Sequence, residues 1–234
     1  SADARDAVAG KAEVADIMTA DLTGYDGIVV SPGVPLNTHP IAAKARECGV
    51  PIIGDIELFA QARANLPPHR VVAITGTNGK STTTALVDHI IRSSCLPARM
   101  GGNIGLPILS QQPLGAGGVY VLELSSYQID LTQSLDADVA ALINITPDHL
   151  NRYDGFAAYA ASKNRLMAMQ TPHHFAVFGN RDAETRAFYE AALNSHADGV
   201  VLSADFEVAG QEDWPSLQGP HNMQNVAVAV RIAE

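Results

Sequence analysis

An α/β fold, a mostly parallel sheet with flanking helices, follows from three observations in the 234-residue sequence. Short apolar runs such as Val71-Val72-Ala73-Ile74 and Val119-Tyr120-Val121-Leu122 have the unalternating character of strands buried on both faces. Segments with helical spacing separate these runs and no hairpin turn joins them, so right-handed βαβ crossovers are expected. One crossover carries Gly76-Thr77-Asn78-Gly79-Lys80-Ser81-Thr82, the order of a phosphate-binding loop between strand and helix.

Taken in order, Gly27-Ile28-Val29-Val30 reads as a strand ending in the turn Ser31-Pro32-Gly33. A helix is expected over 40–48, with Pro40 in its first turn and Gly49 as its stop. Residues 51–54 read as a second strand, and Asp55 as the N-cap of a helix carrying Ile56, Phe59 and Ala60. Leu66-Pro67-Pro68-His69 cannot continue a helix, so a domain boundary is placed there, dividing 1–68 from 69–234. Beyond the phosphate-loop helix, strands are expected at 119–124, 138–145, 175–178 and 199–202. Helices are expected at 155–170 and 183–193, with a closing helix from about Asn222 to Ala233. That last pattern stops without a cap, so the expectation is a chain whose end is cut.

Composition narrows the function. With 47% hydrophobic residues and a mean hydropathy of +0.05, the chain can build a substantial core. A formal charge of −10 argues against general nucleic-acid binding. An acidic chain that binds a polyanion must supply positive charge locally, through amides, a lysine and metal ions. Cys48 and Cys95 fit neither a disulfide framework nor a zinc site, and are expected to be reduced thiols in a cytoplasmic protein. No apolar run approaches membrane-spanning length, so no membrane partner is expected.

In the loop, glycines let the backbone wrap an anion and the amides of the new helix point at it. Lys80 can then reach the terminal phosphates and the Ser81 hydroxyl can ligate Mg²⁺. A strict phosphate loop has a glycine where Ile74 stands, so this is a shortened variant beginning at Gly76. The alternative is an ordinary βα turn with Lys80 exposed. Three further residues fall at or near the carboxyl edge of the sheet, where ligands of such folds gather. Glu123 ends a buried strand, as a Mg²⁺ ligand, a salt-bridge partner or a helix cap. His149 follows another strand, either as a ligand oriented by Asp148 or as a hydrogen-bonded loop residue. Lys163 lies within the apolar stripe Phe156, Tyr159, Ala160, Leu166 and Met167. It must snorkel, pair with Glu123 or Asp148, or lose its charge, and a neutral amine can take up CO₂ as a carbamate.

These residues belong to a series that resembles the Mur ligases, the ATP-dependent amino-acid ligases of peptidoglycan synthesis. The series includes Ser31-Pro32-Gly33, Gly54-Asp55-Ile56-Glu57-Leu58-Phe59, Gly76 to Thr82, Gly101-Gly102-Asn103-Ile104-Gly105-Leu106-Pro107 and Leu122-Glu123-Leu124-Ser125-Ser126-Tyr127-Gln128. It continues with Asp148-His149-Leu150-Asn151-Arg152-Tyr153, Ala161-Ser162-Lys163 and Gly219-Pro220-His221-Asn222-Met223-Gln224-Asn225. The resemblance implies that 1–68 are the end of a Rossmann-like, UDP-substrate-binding domain. It implies that 69–234 are most of a P-loop-type central ATPase domain, with the first βα units and a C-terminal domain lying outside this sequence. It implies ATP and two Mg²⁺ ions as cofactors, with Lys80, His149 and Lys163 catalytic. Gly76, Thr77, Asn78, Gly79, Lys80, Ser81, Thr82, His221, Asn222 and Asn225 would hold the nucleotide. Ser81, Glu123, His149 and a carbamylated Lys163 would hold the metals, and Ser31, Pro32, Gly33, Asn103, Ser125 and Gln128 would face a UDP-sugar.

Within the family, the stretches 101–107 and 122–128 resemble the D-glutamate-adding members. They imply UDP-N-acetylmuramoyl-L-alanine and D-glutamate as substrates, joined through an acyl phosphate by a cytoplasmic monomer. The alternatives are a nucleotide-binding fragment without ligase activity, a related Mur ligase or folylpolyglutamate synthase-like enzyme with another acceptor, and a switch-type NTPase.

Overall fold

The strands expected from the apolar runs assemble into two parallel sheets in a computed structural model that describes residues 8–195 and 200–234. In chain order the strands are β1 (Ile28–Val29), β2 (Ile52–Ile53), β3 (His69–Thr75), β4 (Ala98–Gly102), β5 (Gly118–Glu123), β6 (Val139–Leu142), β7 (Phe175–Phe178) and β8 (Val200–Ser203). The helices are α1 (Ile41–Cys48), α2 (Asp55–Ala62), α3 (Lys80–Ser93), α4 (Ser126–Asp130), α5 (Gly155–Ala168), α6 (Ala183–Ser195) and α7 (Pro220–Ala233). The main sheet has the order β4-β5-β3-β6-β7-β8, every pair parallel, and β1 pairs with β2 in a separate parallel ladder.

Side chains alternate across the pleat, and both faces are covered. Val71, Ala73, Tyr120, Leu122, Ala140 and Leu142 join one core, filled from the helix side by Phe59 of α2, Ile129 of α4 and Leu166 and Met167 of α5. Val72, Ile74, Val121, Ala141 and Val177 join a second core, closed by Val87 of α3 and by Val228 and Ile232 of α7. A third, smaller core of Leu22, Ile28, Ile41, Ala45 and Val50 holds β1, β2 and α1 together. Gly49 ends α1 in the left-handed conformation, its N–H returned to the carbonyls of Ala45 and Arg46.

From Gly54 onward the chain is tied to the large lobe. Gly54 N–H donates to the Leu131 carbonyl (3.0 Å). The buried Glu57 carboxylate accepts from the Gln133 and Ser134 amides and the Ser134 hydroxyl. Those donors hold its pKa below the usual carboxylate value against the opposing effect of burial.

Several expectations need adjusting. Asp55 is not the N-cap of α2; Gly54 takes that position, and Asp55 sits in the first turn, where its charge still favours the helix dipole. The strand expected over 138–145 stops at Leu142, because residues from Asn144 turn away to bond the phosphate loop. The strand expected over 199–202 is β8, with Gly199 outside the described residues. The edge strand β4 has no apolar run to announce it, and α4 is too short for a helical period to register. Among the described residues no helix is long and apolar enough to cross a membrane.

Candidate active site

β3 is one of the two central strands and is buried from Val71 onward, so its carboxyl end delivers Gly76 to the middle of the sheet edge. Gly79 then serves as the N-cap of α3 with φ +81°, a conformation that disfavours any side chain. A Cβ at Gly79 would also lie 2.1 Å from Asn225 Oδ1 of α7. Only glycine satisfies both demands. Gly79→Ala is expected to destabilise the fold by about 2–5 kcal/mol, adding left-handed strain to overpacking, as read from the midpoint of a urea melt.

The loop is zipped to the segment after β6. Thr77 N–H donates to the Asn144 carbonyl (2.9 Å), and the Asn144 side chain pairs with both ends of the Asn78 backbone (2.9 and 3.1 Å). Thr146 and Thr77 exchange two more bonds through the Thr77 hydroxyl. The amides of Thr77 and Asn78 are therefore already spoken for. Donors for an anion come instead from the amides of 79–82, which precede the first helical bond, Thr83 N–H to the Gly79 carbonyl. Ser81 is exposed beside them.

Two lysines converge on this turn. Lys80 Nζ donates to the carbonyls of Gly76 (3.0 Å) and Thr77 (2.8 Å), and Lys163 Nζ donates to the same Gly76 carbonyl (2.8 Å). Lys163 is 2% exposed, in the middle of the α5 stripe. Burial and the neighbouring Lys80 ammonium push its pKa down to about 7. Burial lowers Lys80 as well, while the Glu123 and Asp148 carboxylates pull the other way. Neither amine forms an ion pair among the described residues.

Glu123, the last residue of β5, pairs in register with Ile74 beside the loop. It is 2% exposed, and its Oε1 accepts from Asn103 Nδ2 (2.9 Å). Asn103 gets there because Gly102 brings the chain against β5; a Cβ on Gly102 would lie 2.2 Å from the Glu123 carbonyl oxygen. Glu123 Oε2 is buried with no partner. A charged oxygen without a donor is costly, and a bound cation would answer it.

His149 lies outside this buried group, half exposed in the loop after β6, with φ +51° and its Nε2 3.5 Å from Asp148 Oδ2. Tyr159 ties it to the rest. Its hydroxyl meets Thr77 Oγ1 (3.1 Å), its ring centroid lies 4.8 Å from Lys163 Nζ, and the His149 ring is 6.3 Å away. Tyr159 joins the core as its apolar stripe predicts, only 1% exposed; its tie to the loop is a further role, signalled by a phenol whose hydroxyl needs a partner. Asn144 was missed, since a lone asparagine after a strand has no spacing to mark it.

The remaining candidates divide. Asn225 is buried against Gly79, with its Nδ2 on Asn222 Oδ1, whereas His221 is exposed at the start of α7. Ser125 and Gln128 engage each other in a capping box that starts α4, and Gln128 is buried there. Ser31 and Gly33 are exposed and Pro32 half-buried in the small lobe's turn.

Among the described residues no group of three or more His, Cys, Asp or Glu side chains is placed to hold a metal unaided. The orphaned Glu123 oxygen and the exposed Ser81 hydroxyl suit Mg²⁺, which keeps waters and takes few protein ligands beside substrate phosphates.

Residues 74–218 match the Mur ligase middle domain. The chain belongs to the Mur ligase family. It is similar to the UDP-N-acetylmuramoylalanine--D-glutamate ligase of Novosphingobium aromaticivorans, 66% identical over 98% of this chain and 52% of that protein. The ligase of the same name from Zymomonas mobilis is 54% identical over 96% of this chain and 51% of its own length. The chain thus spans about half the length of these curated relatives. Among solved structures, the MurF ligase of Thermotoga maritima in complex with ADP superposes with a TM-score of 0.58 at 16% identity. That match covers 91% of this chain and 60% of the other. The UDP-N-acetylmuramate:L-alanyl-gamma-D-glutamyl-meso-diaminopimelate ligase from Neisseria meningitides gives 0.60 at 18% identity, covering 89% and 73%. At such identities these two structures bear on the fold alone.

Proposed function

We propose that this chain is the nucleotide-handling part of an ATP-dependent ligase that joins D-glutamate to UDP-N-acetylmuramoyl-L-alanine in peptidoglycan synthesis. Residues 69–234 serve as its ATPase domain and 1–68 as part of its UDP-substrate domain. The observation that carries the reading is the orphaned, buried Glu123 oxygen beside a loop that offers free amides and two lysines. ATP supplies the phosphoryl group that activates the substrate carboxylate as an acyl phosphate, and two Mg²⁺ ions supply charge neutralisation.

The chain's own residues set the stage for that transfer. The amides of 79–82 and Lys80 cradle the phosphates, with His221, Asn222 and Asn225 toward the base. Ser81, Glu123, His149 and Lys163 are the metal-binding set, Lys163 after taking up CO₂ on its neutral amine with release of a proton. Ser31, Pro32, Gly33, Asn103, Ser125 and Gln128 face the UDP-sugar, Asn103 while also holding Glu123 Oε1.

The test is phosphate release by the full-length protein, this sequence completed to the length of its relatives. Release is expected only when ATP, UDP-N-acetylmuramoyl-L-alanine and D-glutamate are all present. Equal release with L-glutamate, or without the UDP-sugar, rejects the assignment. A second reading rests on the roughly half-length match: the 234-residue chain alone binds ATP and does not ligate. A missing platform for the amine forfeits proximity, a contribution of about 7–11 kcal/mol.

A further inference from the structure

The Ser31–Gly33 turn belongs to the small lobe, while the loop carrying His149 belongs to the large one. One side chain spans them. Arg152 donates Nη1 to the Gly33 carbonyl (3.2 Å) and Nη2 to the carbonyls of Pro32 (3.4 Å) and Val34 (2.9 Å). Its guanidinium carbon lies 4.2 Å from the centroid of the Tyr127 ring, and that ring is 5.1 Å from the His149 ring. Asn37 Nδ2 adds a second tie, to the Asn151 carbonyl (3.3 Å). Arg152 forms no ion pair among the described residues, so its charge is directed at three successive carbonyls.

Those carbonyls sit outside any strand or helix, and within the turn itself Val34 N–H to the Ser31 carbonyl (3.0 Å) is the bond that closes it. A short turn with one internal bond is a low-stability segment that outside contacts must order. A planar fork reaching three consecutive carbonyls fits one backbone shape, and stacking on Tyr127 fixes the plane of the fork. A cleft of about 520 Å³ opens beside it, between Val34, Tyr127 and Ser162, so the latch forms one wall of the inter-lobe space.

We infer that Arg152 is a positioning residue: it latches the small lobe's Ser31–Val34 turn onto the loop that carries His149. A nucleoside-diphosphate sugar held by that turn thereby meets the phosphate loop in a fixed register. The identity of that ligand rests on the proposed ligase function; the latch itself does not.

Two measurements on Arg152→Ala and Arg152→Lys separate these layers. In the 234-residue chain, amide exchange of residues 31–37 is expected to quicken by about tenfold in both variants, with β3 unchanged. Lysine fails to rescue because one ammonium cannot serve three carbonyls and does not stack as guanidinium does. Unchanged exchange at 31–37, restoration by lysine, or an equal rise in β3 would each overturn the latch. In the full-length protein, KM for the UDP-sugar is expected to rise about tenfold with KM for ATP within about twofold, as lost positioning of one substrate predicts. Equal rises in both KM values would also overturn it. A wild-type protein that turns over no UDP-sugar sinks the ligase reading, and the exchange measurement still decides the latch.

Discussion

Lys80→Ala in the full-length protein is expected to lower turnover by about 10³-fold or more while ATP affinity falls by less than about tenfold. In the structure Lys80 Nζ rests on the carbonyls of Gly76 and Thr77, held at the mouth of the loop by neutral acceptors. No carboxylate is within ion-pair distance of it among the described residues, so its charge is available to phosphate oxygens. Ground-state binding is shared with the amides of 79–82, which the substitution leaves in place. The charge that accumulates during phosphoryl transfer has fewer partners, so the loss falls on kcat. The same change removes the ammonium that helps depress Lys163, so the Lys163 pKa should rise in the variant. Steady-state phosphate release, paired with equilibrium dialysis of ATP, checks both parts; near-normal kcat defeats the role given to Lys80.

How far the sequence could be read depends on the range over which each residue's role is set. The phosphate loop is local: a buried strand, two glycines and a helix fix it, and β3, Gly79 and α3 stand as expected. Lys163 was legible for the same reason, because a 3.6-residue period places it inside the α5 stripe whatever lies opposite. The proline pair at 67–68 was legible as a break, but not as a break in packing. Ile56 and Phe59 already join the large core ahead of it, and their neighbours Gly54 and Glu57 bond Leu131 and Ser134, partners that no local pattern announces. Asn144, Tyr159 and Arg152 share that obscurity. Each acquires its role from a partner 66 to 120 positions away, and nothing in its own neighbourhood encodes the meeting. Gln128 shows the reverse, a residue whose motif is plain and whose side-chain oxygen is also engaged locally, in a capping box with Ser125.

Lys163→Met is expected to abolish the proposed ligase activity of the full-length protein and to make the fold more stable at pH 6. The wild-type side chain places an ammonium in a site only 2% exposed, against Tyr159 and within reach of the repulsion from Lys80. Methionine matches its length, keeps a favourable contact with the aromatic ring, and orphans nothing, because Lys80 still donates to the Gly76 carbonyl. The pH dependence fixes the sign. The folded-state pKa is about 7 against the ordinary lysine value of 10.5, so between these the unfolded chain binds more protons and wild-type stability rises with pH. Below pH 7 the burial penalty is fully present; it is relieved as pH climbs toward 10.5. The advantage of methionine should therefore be several kcal/mol at pH 6 and shrink by about 1.4 kcal/mol for each pH unit above 7. Urea melts in CO₂-free buffer measure it, and a methionine variant less stable at pH 6, or an advantage that ignores pH, refutes the account. Added bicarbonate gives the converse handle. The neutral amine and CO₂ form an N–C bond and release a proton, replacing the crowded cation by an anion that faces Lys80 and a cation-seeking Glu123 site. Bicarbonate should stabilise the wild type in the presence of Mg²⁺ and leave the methionine variant unmoved.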